Sequence, residues 1–235
     1  MRKLTELPAW ERLFKKILWK QLGNISGKYI LDFGSGEGIT ANHFAKDNKV
    51  IAVEPWEEML KNVWRDYEYK QIIGDLSALF NFSDNTFDIV FCHNVLEYVD
   101  DKAEVMHELS RILKPDGVLS LVKHNRIGRV MQMAVLLDDF EKANALLDGE
   151  DGMASKFGKI QYYKEGQIEK WCPELSCEKI YGIRTFWDLQ QNQGRHSDEN
   201  WQDEMMKLEM RVSELDEFRD ISFFHHLILR KTDLI

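Results

Sequence analysis

The chain is poor in the features that would place it outside the ordinary globular enzymes. Its three cysteines, Cys92, Cys172 and Cys177, are too few and too scattered for a disulfide framework. Cys172 and Cys177 lack both the spacing and the second pair of a zinc site, so no metal is expected. No apolar run approaches the roughly 20 residues that span a bilayer. The opening segment MRKLTELPAWERLFKKILWK breaks its apolar residues with charges and has no signal-peptide core. A cytoplasmic protein with reduced thiols and no membrane contact is the expectation. Only four prolines occur, each near an element boundary, and no repeat or Pro/Gly/Ser-rich linker divides the chain. Positive charge is also short: 31 Lys and Arg against 40 Asp and Glu give a net charge of −9. That disfavours broad, non-specific nucleic-acid binding and leaves a local basic patch open.

Against these absences, 44% hydrophobic and 30% charged residues in 235 suit one α/β domain spanning 1–235. From 28 to 123, short apolar runs alternate with amphipathic stretches, the pattern of βαβ units around a parallel sheet. KYILDFG, KVIAVEP, YKQIIGD, FDIVFC and VLSLVKH read as five strands, separated by helices at 38–48, 56–67 and after Asp100 or Asp101, with Lys114–Gly117 as a turn. The alternation then stops. Residues 126–163 read as a substrate-side insertion holding one helix, RVMQMAVLLDDFEKANALL, and a charged, glycine-containing loop. A helix, KEGQIEKWC, and the strand KIYGIRTF follow, then a second helix, ENWQDEMMKLEMRVSEL, and the final strand ISFFHHLILRK. The expected fold is therefore a Rossmann-like, seven-stranded, mostly parallel doubly wound sheet with a helical insertion after the fifth strand. An amphipathic helix at 8–23 precedes a ligand-binding half at 28–125, and 164–235 completes the sheet; the residues before Pro8 read as frayed.

The first strand runs into Asp32-Phe33-Gly34-Ser35-Gly36-Glu37-Gly38 and then a helix. Glycines allow a tight turn and close approach of backbone to ligand, and the helix start favours electron-rich groups. A dinucleotide fingerprint reads G-x-G-x-x-G and leaves room for a pyrophosphate. Here the spacing is G-x-G-x-G with a carboxylate before it, which suits a ligand carrying an ammonium and no phosphate. S-adenosylmethionine (AdoMet) meets that description. Glu54, at the end of the second strand and about twenty residues on, can accept from both ribose hydroxyls. Asp75 ends the third strand and can take the adenine amino group, with Leu76 and Met59 on either side of the ring; a helix-capping role competes. His93 follows the fourth strand, where it reaches the methionine part of the ligand or caps the loop.

In these motifs the sequence resembles the class I AdoMet-dependent methyltransferases: DFGSGEG, Glu54, GDLSAL and ILKPDGVLSLV fall where that family carries its cofactor motifs. A narrower likeness, through FCHNVLEYV, GVLSLVKHN, GIRTF and LEMR, is to the bacterial tRNA 5-carboxymethoxyuridine methyltransferases, which convert the wobble uridine's carboxymethoxy group to its methyl ester. The resemblance implies cofactor contacts at Gly34, Ser35, Glu54, Asp75, Leu76 and His93. It also implies an arginine from the N-terminal helix on the cofactor; the matching position here is Phe14, with Arg12, Lys15 and Lys16 nearby.

Methyl transfer to a carboxylate needs alignment and no general base, because the nucleophile is already ionised. Arg184, read as part of the sixth strand, is the candidate to orient it, since a guanidinium matches a carboxylate bidentately. His124 and Asn125 are expected at the same mouth, with Tyr162 or Tyr163 from the insertion. Lys123, His124, Arg126 and Arg129 form a local basic cluster, either a phosphate dock or a solvated helix start, and Phe186 and Trp187 are either base-stacking or core aromatics. The expected partner is tRNA or a small-molecule methyl acceptor. Two further readings stay open: a small-metabolite methyltransferase and a non-catalytic AdoMet-binding protein.

Overall fold

The computed structural model describes residues 2–232; residues 1 and 233–235, at the ends of the expected domain, lie outside the description. In chain order the strands are β1 (Tyr29–Phe33), β2 (Lys49–Glu54), β3 (Lys70–Ile73), β4 (Phe87–His93), β5 (Leu113–His124), β6 (Gly152–Ala154), β7 (Gly158–Ile160), β8 (Leu175–Ile183) and β9 (Phe224–Lys231). The α-helices are α1 (Ala9–Leu22), α2 (Ile39–Ala45), α3 (Glu57–Leu60), α4 (Leu76–Leu79), α5 (Lys102–Ile112), α6 (Arg126–Met131), α7 (Phe140–Leu147), α8 (Glu165–Trp171), α9 (Glu199–Val212) and α10 (Asp216–Arg219). Seven strands form one sheet in the order β3-β2-β1-β4-β5-β9-β8. The five from β3 to β5 are parallel, and β9 runs antiparallel to both neighbours. Strand order reverses between β1 and β4, so a crevice opens beyond their carboxyl ends, where open α/β sheets bind ligands.

The sheet forms because its central strands are apolar on both faces. Leu31, Phe33, Val53, Val90 and Leu121 pack under α4, α5 and α8, while Ile30, Val50, Ala52, Ile89 and Phe91 pack on the opposite side with α2. Helix α5 starts at Asp101, whose side chain accepts from the Glu104 amide at 2.8 Å, and buries Val105, Met106, Leu109 and Ile112. Such side chains contribute about 1.5–3 kcal/mol each when fully buried. Helix α1 lays Leu13, Phe14, Ile17 and Leu18 against β5, β8 and β9. Among the described residues no helix is long and apolar enough to cross a membrane.

Local departures from expectation have identifiable causes. Residues 2–7 are held down: Arg2 donates to the Asn62 carbonyl at 2.7 Å, and Leu7 is buried beside Ile39 and Trp64. The helix expected at 56–67 shrinks to α3. Lys114–Gly117 is absorbed into β5, where an irregular register against β4 accompanies Asp116 at φ 58°. The single helix expected at 129–147 is broken: α6 passes into a π-helical turn at Gln132–Leu136, Asp138 takes φ 53°, and α7 begins anew under an Asp139 cap. The loop after it carries the β6–β7 hairpin.

Strand β8 ends at Ile183, so Arg184 lies beyond the strand, at φ 64°. An arginine in this left-handed region costs energy and persists only where its surroundings dictate it. They do so here. The buried Glu209 carboxylate of α9 accepts from the backbone amides of Thr185, Phe186 and Trp187 at 2.7, 2.9 and 3.1 Å, and the Arg184 carbonyl accepts from Phe223 at 3.1 Å. Phe186 packs against Phe218, and Trp187 is buried between His196 and Trp201, so both aromatics belong to the core. Glu209→Ala strands three amides with no acceptor. It should lower unfolding stability by about 3 kcal/mol or more, read as a fall in the urea midpoint at unchanged slope; an unchanged midpoint would remove Glu209 from this role.

Candidate active site

The glycine loop is built for close approach. Gly34 (φ 74°) and Ser35 both donate to the Val53 carbonyl, at 2.9 and 3.0 Å, tying the loop to the end of β2. A Cβ on Gly34 would lie 2.3 Å from a Val95 methyl, and one on Gly38 (φ 70°) 2.1 Å from the Tyr69 hydroxyl. Neither position admits a larger residue without displacement of the wall behind it.

Glu54 is buried at the end of β2. One carboxylate oxygen accepts from the Gly36 amide at 2.8 Å and the other from the Trp56 amide at 3.0 Å. These bonds lock the carboxylate and leave one lone pair on each oxygen, which is the capacity a vicinal diol needs. Met59 reaches over the loop, its methyl 3.2 Å from where a Gly36 Cβ would sit. Leu76 is half-buried against the main core. Asp75 is exposed and caps α4, one oxygen accepting from the Ser77 amide (2.9 Å) and hydroxyl (2.7 Å), which holds its pKa below the usual carboxylate range. Its other oxygen remains for a ligand.

The crevice between β1 and β4 holds polar groups within the interior. Burial pushes the Asp32 carboxyl up to about 6, against the pull of Lys15. One of its oxygens has no hydrogen-bond partner among the described residues. The half-buried Lys15 ammonium donates to the Thr40 hydroxyl at 2.8 Å; desolvation lowers its pKa, opposed by Glu11 and Asp32. Phe14, by contrast, points into the core. The cation on this face of α1 is therefore Lys15, in the neighbourhood where the family resemblance called for an arginine. His93 sits on the Ser120 hydroxyl through Nε2 (2.8 Å), its pKa depressed well below normal by burial, and its Nδ1 is buried without a partner.

Above the crevice the β6–β7 hairpin acts as a strap. Phe157 packs against Trp56 (ring centroids 5.3 Å) and Tyr98 (5.5 Å), bridging the end of β2 to the turn after β4. Nothing in the charged loop 148–158 signalled this contact.

Beyond the strap lies the mouth. Tyr98 Oη and His124 Nε2 are 3.4 Å apart, and the His124 ring contacts Phe223 and Phe224. Burial first, and then the Arg184, Arg129 and Lys123 charges, hold His124 at about 3, so it is neutral. Arg184 flanks the same two phenylalanines and Trp10. Its Nε donates to Asp188 at 2.8 Å and its Nη2 to the other oxygen of that carboxylate, which also accepts from Gln132 at 3.0 Å. Asp188 thus occupies the side-on fork expected to be free for substrate. Asn125 serves the fold: its oxygen caps α6 at the Ile127 amide, and its amide nitrogen donates to the Asp220 and Ser222 carbonyls at 2.8 Å each. The basic cluster is likewise engaged. Lys123 is buried on Glu165, Arg126 lies over Tyr162 and 4.0 Å from Asp151, and Arg129 bonds Gln132.

A residue that the sequence reading passed over is Glu97, which follows β4 within LEY. It is fully buried; one oxygen accepts from the His124 amide at 2.5 Å and the other has no partner. A charged residue in an otherwise apolar run was the available signal.

The orphaned acceptors at Asp32 and His93, with the half-buried Lys15 ammonium, fit an α-amino acid, and the locked Glu54 fits a ribose, a combination that AdoMet offers. Residues 31–121 match the methyltransferase-domain family. The chain is 25% identical to the tRNA 5-carboxymethoxyuridine methyltransferase of Escherichia coli K12, over 94% of this chain and 88% of that protein. It is 28% identical to the ubiquinone biosynthesis O-methyltransferase of Haemophilus ducreyi, over 66% and 68% respectively. A solved S-adenosylmethionine-dependent methyltransferase from Mesorhizobium loti shares the fold, with TM-score 0.60 and 14% identity over 97% of this chain and 100% of that one. The chain belongs to the class I AdoMet-dependent methyltransferases: it is an enzyme, and AdoMet is its cofactor. This sets aside the non-catalytic and dinucleotide readings.

Two outcomes are expected. Glu54→Ala should weaken S-adenosylhomocysteine binding by roughly 10–100-fold, through loss of charge-assisted hydrogen bonds, as read by calorimetry; unchanged affinity would move the ribose elsewhere. Burial raises Glu97 from 4.5 to about 7, opposed by the His124 amide and by Lys123 and Lys102. The native state therefore holds a proton that the unfolded chain releases, and stability falls as pH rises from 4.5 through 7. Glu97→Gln should remove that slope, matching the wild type near pH 5 and exceeding it at pH 8 by on the order of 3 kcal/mol. Parallel stability–pH curves would contradict the assignment.

Proposed function

We propose that the methyl acceptor is a carboxylate, that of 5-carboxymethoxyuridine at the wobble position of tRNA, and that the product is its methyl ester. The observation that carries this reading is the state of Arg184. Asp188 fixes its guanidinium through Nε and Nη2, while Nη1 has no hydrogen-bond partner among the described residues. A guanidinium has a second edge, Nη1/Nη2, able to hold one more carboxylate end-on. It stands beside His124, which joins through Tyr98 and Phe157 to the Trp56 side of the cofactor crevice.

AdoMet supplies an electrophilic methyl on sulfur. The protein's own task is to hold one carboxylate oxygen on Arg184 and to leave a lone pair of the other in line with that methyl. No side chain has to take a proton, in keeping with a mouth whose histidine is neutral. The near-complete overlap with the E. coli tRNA enzyme supports the same acceptor, including the portion of the chain after residue 125. In this reading Asp32, Gly34, Ser35, Gly36, Glu54, Met59, Asp75, Leu76 and His93 surround the cofactor, and Lys15 takes its carboxylate.

A small-metabolite O-methyltransferase is the second reading. It is favoured by the net charge of −9, by the internal pairing of Lys123, Arg126 and Arg129, and by the likeness to the ubiquinone enzymes. Methyl-labelled AdoMet offered with bulk tRNA lacking the wobble ester, and separately with a metabolite extract, separates the two. The expected result is label in one wobble nucleoside, released by mild alkali as an ester requires. Arg184→Lys keeps the charge and loses the fork, so kcat/KM should drop on the order of 100-fold with S-adenosylhomocysteine affinity retained. Label confined to small metabolites would sink the tRNA reading.

A further inference from the structure

His93 is the end of a chain of hydrogen bonds that crosses the sheet beneath α1. Gln21 Nε2 donates to the Gly182 carbonyl at 3.0 Å, and Gln21 Oε1 lies 2.8 Å from His226 Nδ1. His226 Nε2 is 2.8 Å from the Ser120 hydroxyl, which is 2.8 Å from His93 Nε2. Ser120 and His226 are completely buried on β5 and β9.

The direction of every link follows from the first. A carbonyl only accepts, so the Gln21 amide nitrogen must face Gly182 and its oxygen must accept from His226 Nδ1–H. Burial holds His226 at about 3, so the ring is neutral and its Nε2 is a lone pair. That lone pair takes the single Ser120 proton. The remaining contact can then only be His93 Nε2–H donating to the Ser120 oxygen. His93 is also neutral through burial, which leaves its lone pair on Nδ1, the buried atom with no partner.

We propose that Gln21, Ser120 and His226 are positioning residues that hold His93 in the Nε2–H tautomer, so that Nδ1 accepts a hydrogen bond from the α-ammonium of the cofactor's methionine portion. The inference rests on the reading that the amino-acid end of AdoMet lies over Asp32 and His93. With any link reversed, an N–H would oppose the ammonium in a site of low polarisability, where like polarity is costly. The relay uses residues from α1, β5, β8 and β9 and ties the far half of the sheet to the crevice.

The test uses the full-length protein and two ligands: S-adenosylhomocysteine, and 5′-methylthioadenosine, which keeps the nucleoside and sulfur and lacks the amino acid. Ser120→Ala cuts the relay at its centre; Gln21→Met removes its anchor at the half-buried end of α1 and serves should the first variant fail to fold. Each is expected to weaken S-adenosylhomocysteine roughly tenfold or more and to leave methylthioadenosine unchanged. In the wild type, side-chain ¹⁵N resonances of His93 should show Nδ1 unprotonated and Nε2 protonated, with Nδ1 shifting when S-adenosylhomocysteine is added. Equal losses for both ligands would make the relay merely structural, and no loss for either, or a protonated Nδ1, would overturn it. A wild type that binds S-adenosylhomocysteine no more tightly than methylthioadenosine would instead remove the reading beneath it.

Discussion

Two acceptors without donors, Asp32 Oδ2 and His93 Nδ1, stand in the crevice where the sheet changes direction, and the site is organised around them. A buried acceptor left unsatisfied costs about 1–3 kcal/mol, so the fold tolerates them only because other contacts over-determine their positions. Asp32 is carried by the central strand, paired with β2 on one side and β4 on the other. His93 is carried by β4 and held from behind by Ser120. On the cofactor placement we propose, the ligand's ammonium donates to both, which links folding energetics to recognition.

The acceptor side follows a different logic. There the cations are already paired within the protein: Arg184 with Asp188, Lys123 with Glu165, Arg129 with Gln132. Such pairing fixes direction at the expense of free charge. For the carboxylate acceptor we propose, one guanidinium edge, held on a left-handed turn by Glu209 and Asp188, supplies a fixed direction for alignment. The insertion contributes the strap and the Gln132 link to Asp188, so the segment that departs from the α/β alternation reaches both the crevice and the mouth.

Much of the cofactor half was legible in the sequence because its signals are local. Apolar runs of strand length mark β1 to β5, the glycine spacing needs left-handed backbone at known places, and Glu54 and Asp75 fall at strand ends. The helix after Asp100 or Asp101 was legible from cap chemistry together with apolar residues at helical spacing, and Asp101 is the residue that caps it. The rest depends on tertiary partners that no local pattern encodes. Periodicity runs through 129–147 unbroken, yet the helix splits at the π-turn and Asp138. Asn125 reads as a mouth residue until its amide is seen to bridge two carbonyls of the turn before β9. Arg184 and Asp188 are spaced as an i,i+4 pair, but their ion pair is made outside any α-helix, across the turn that leads into the 3-10 helix Trp187–Leu189. Glu97 and Lys15 were visible as charged residues within apolar surroundings, and only the packing shows which way they face.

The most direct measurement compares S-adenosylhomocysteine with its deaminated analogue, which keeps the nucleoside, sulfur and carboxylate and replaces only the ammonium by hydrogen. With Asp32 and His93 both accepting from that ammonium, the analogue should bind at least on the order of 100-fold more weakly. Equal affinity would contradict the account, because the two acceptors would then be orphaned for some purpose other than holding the cofactor.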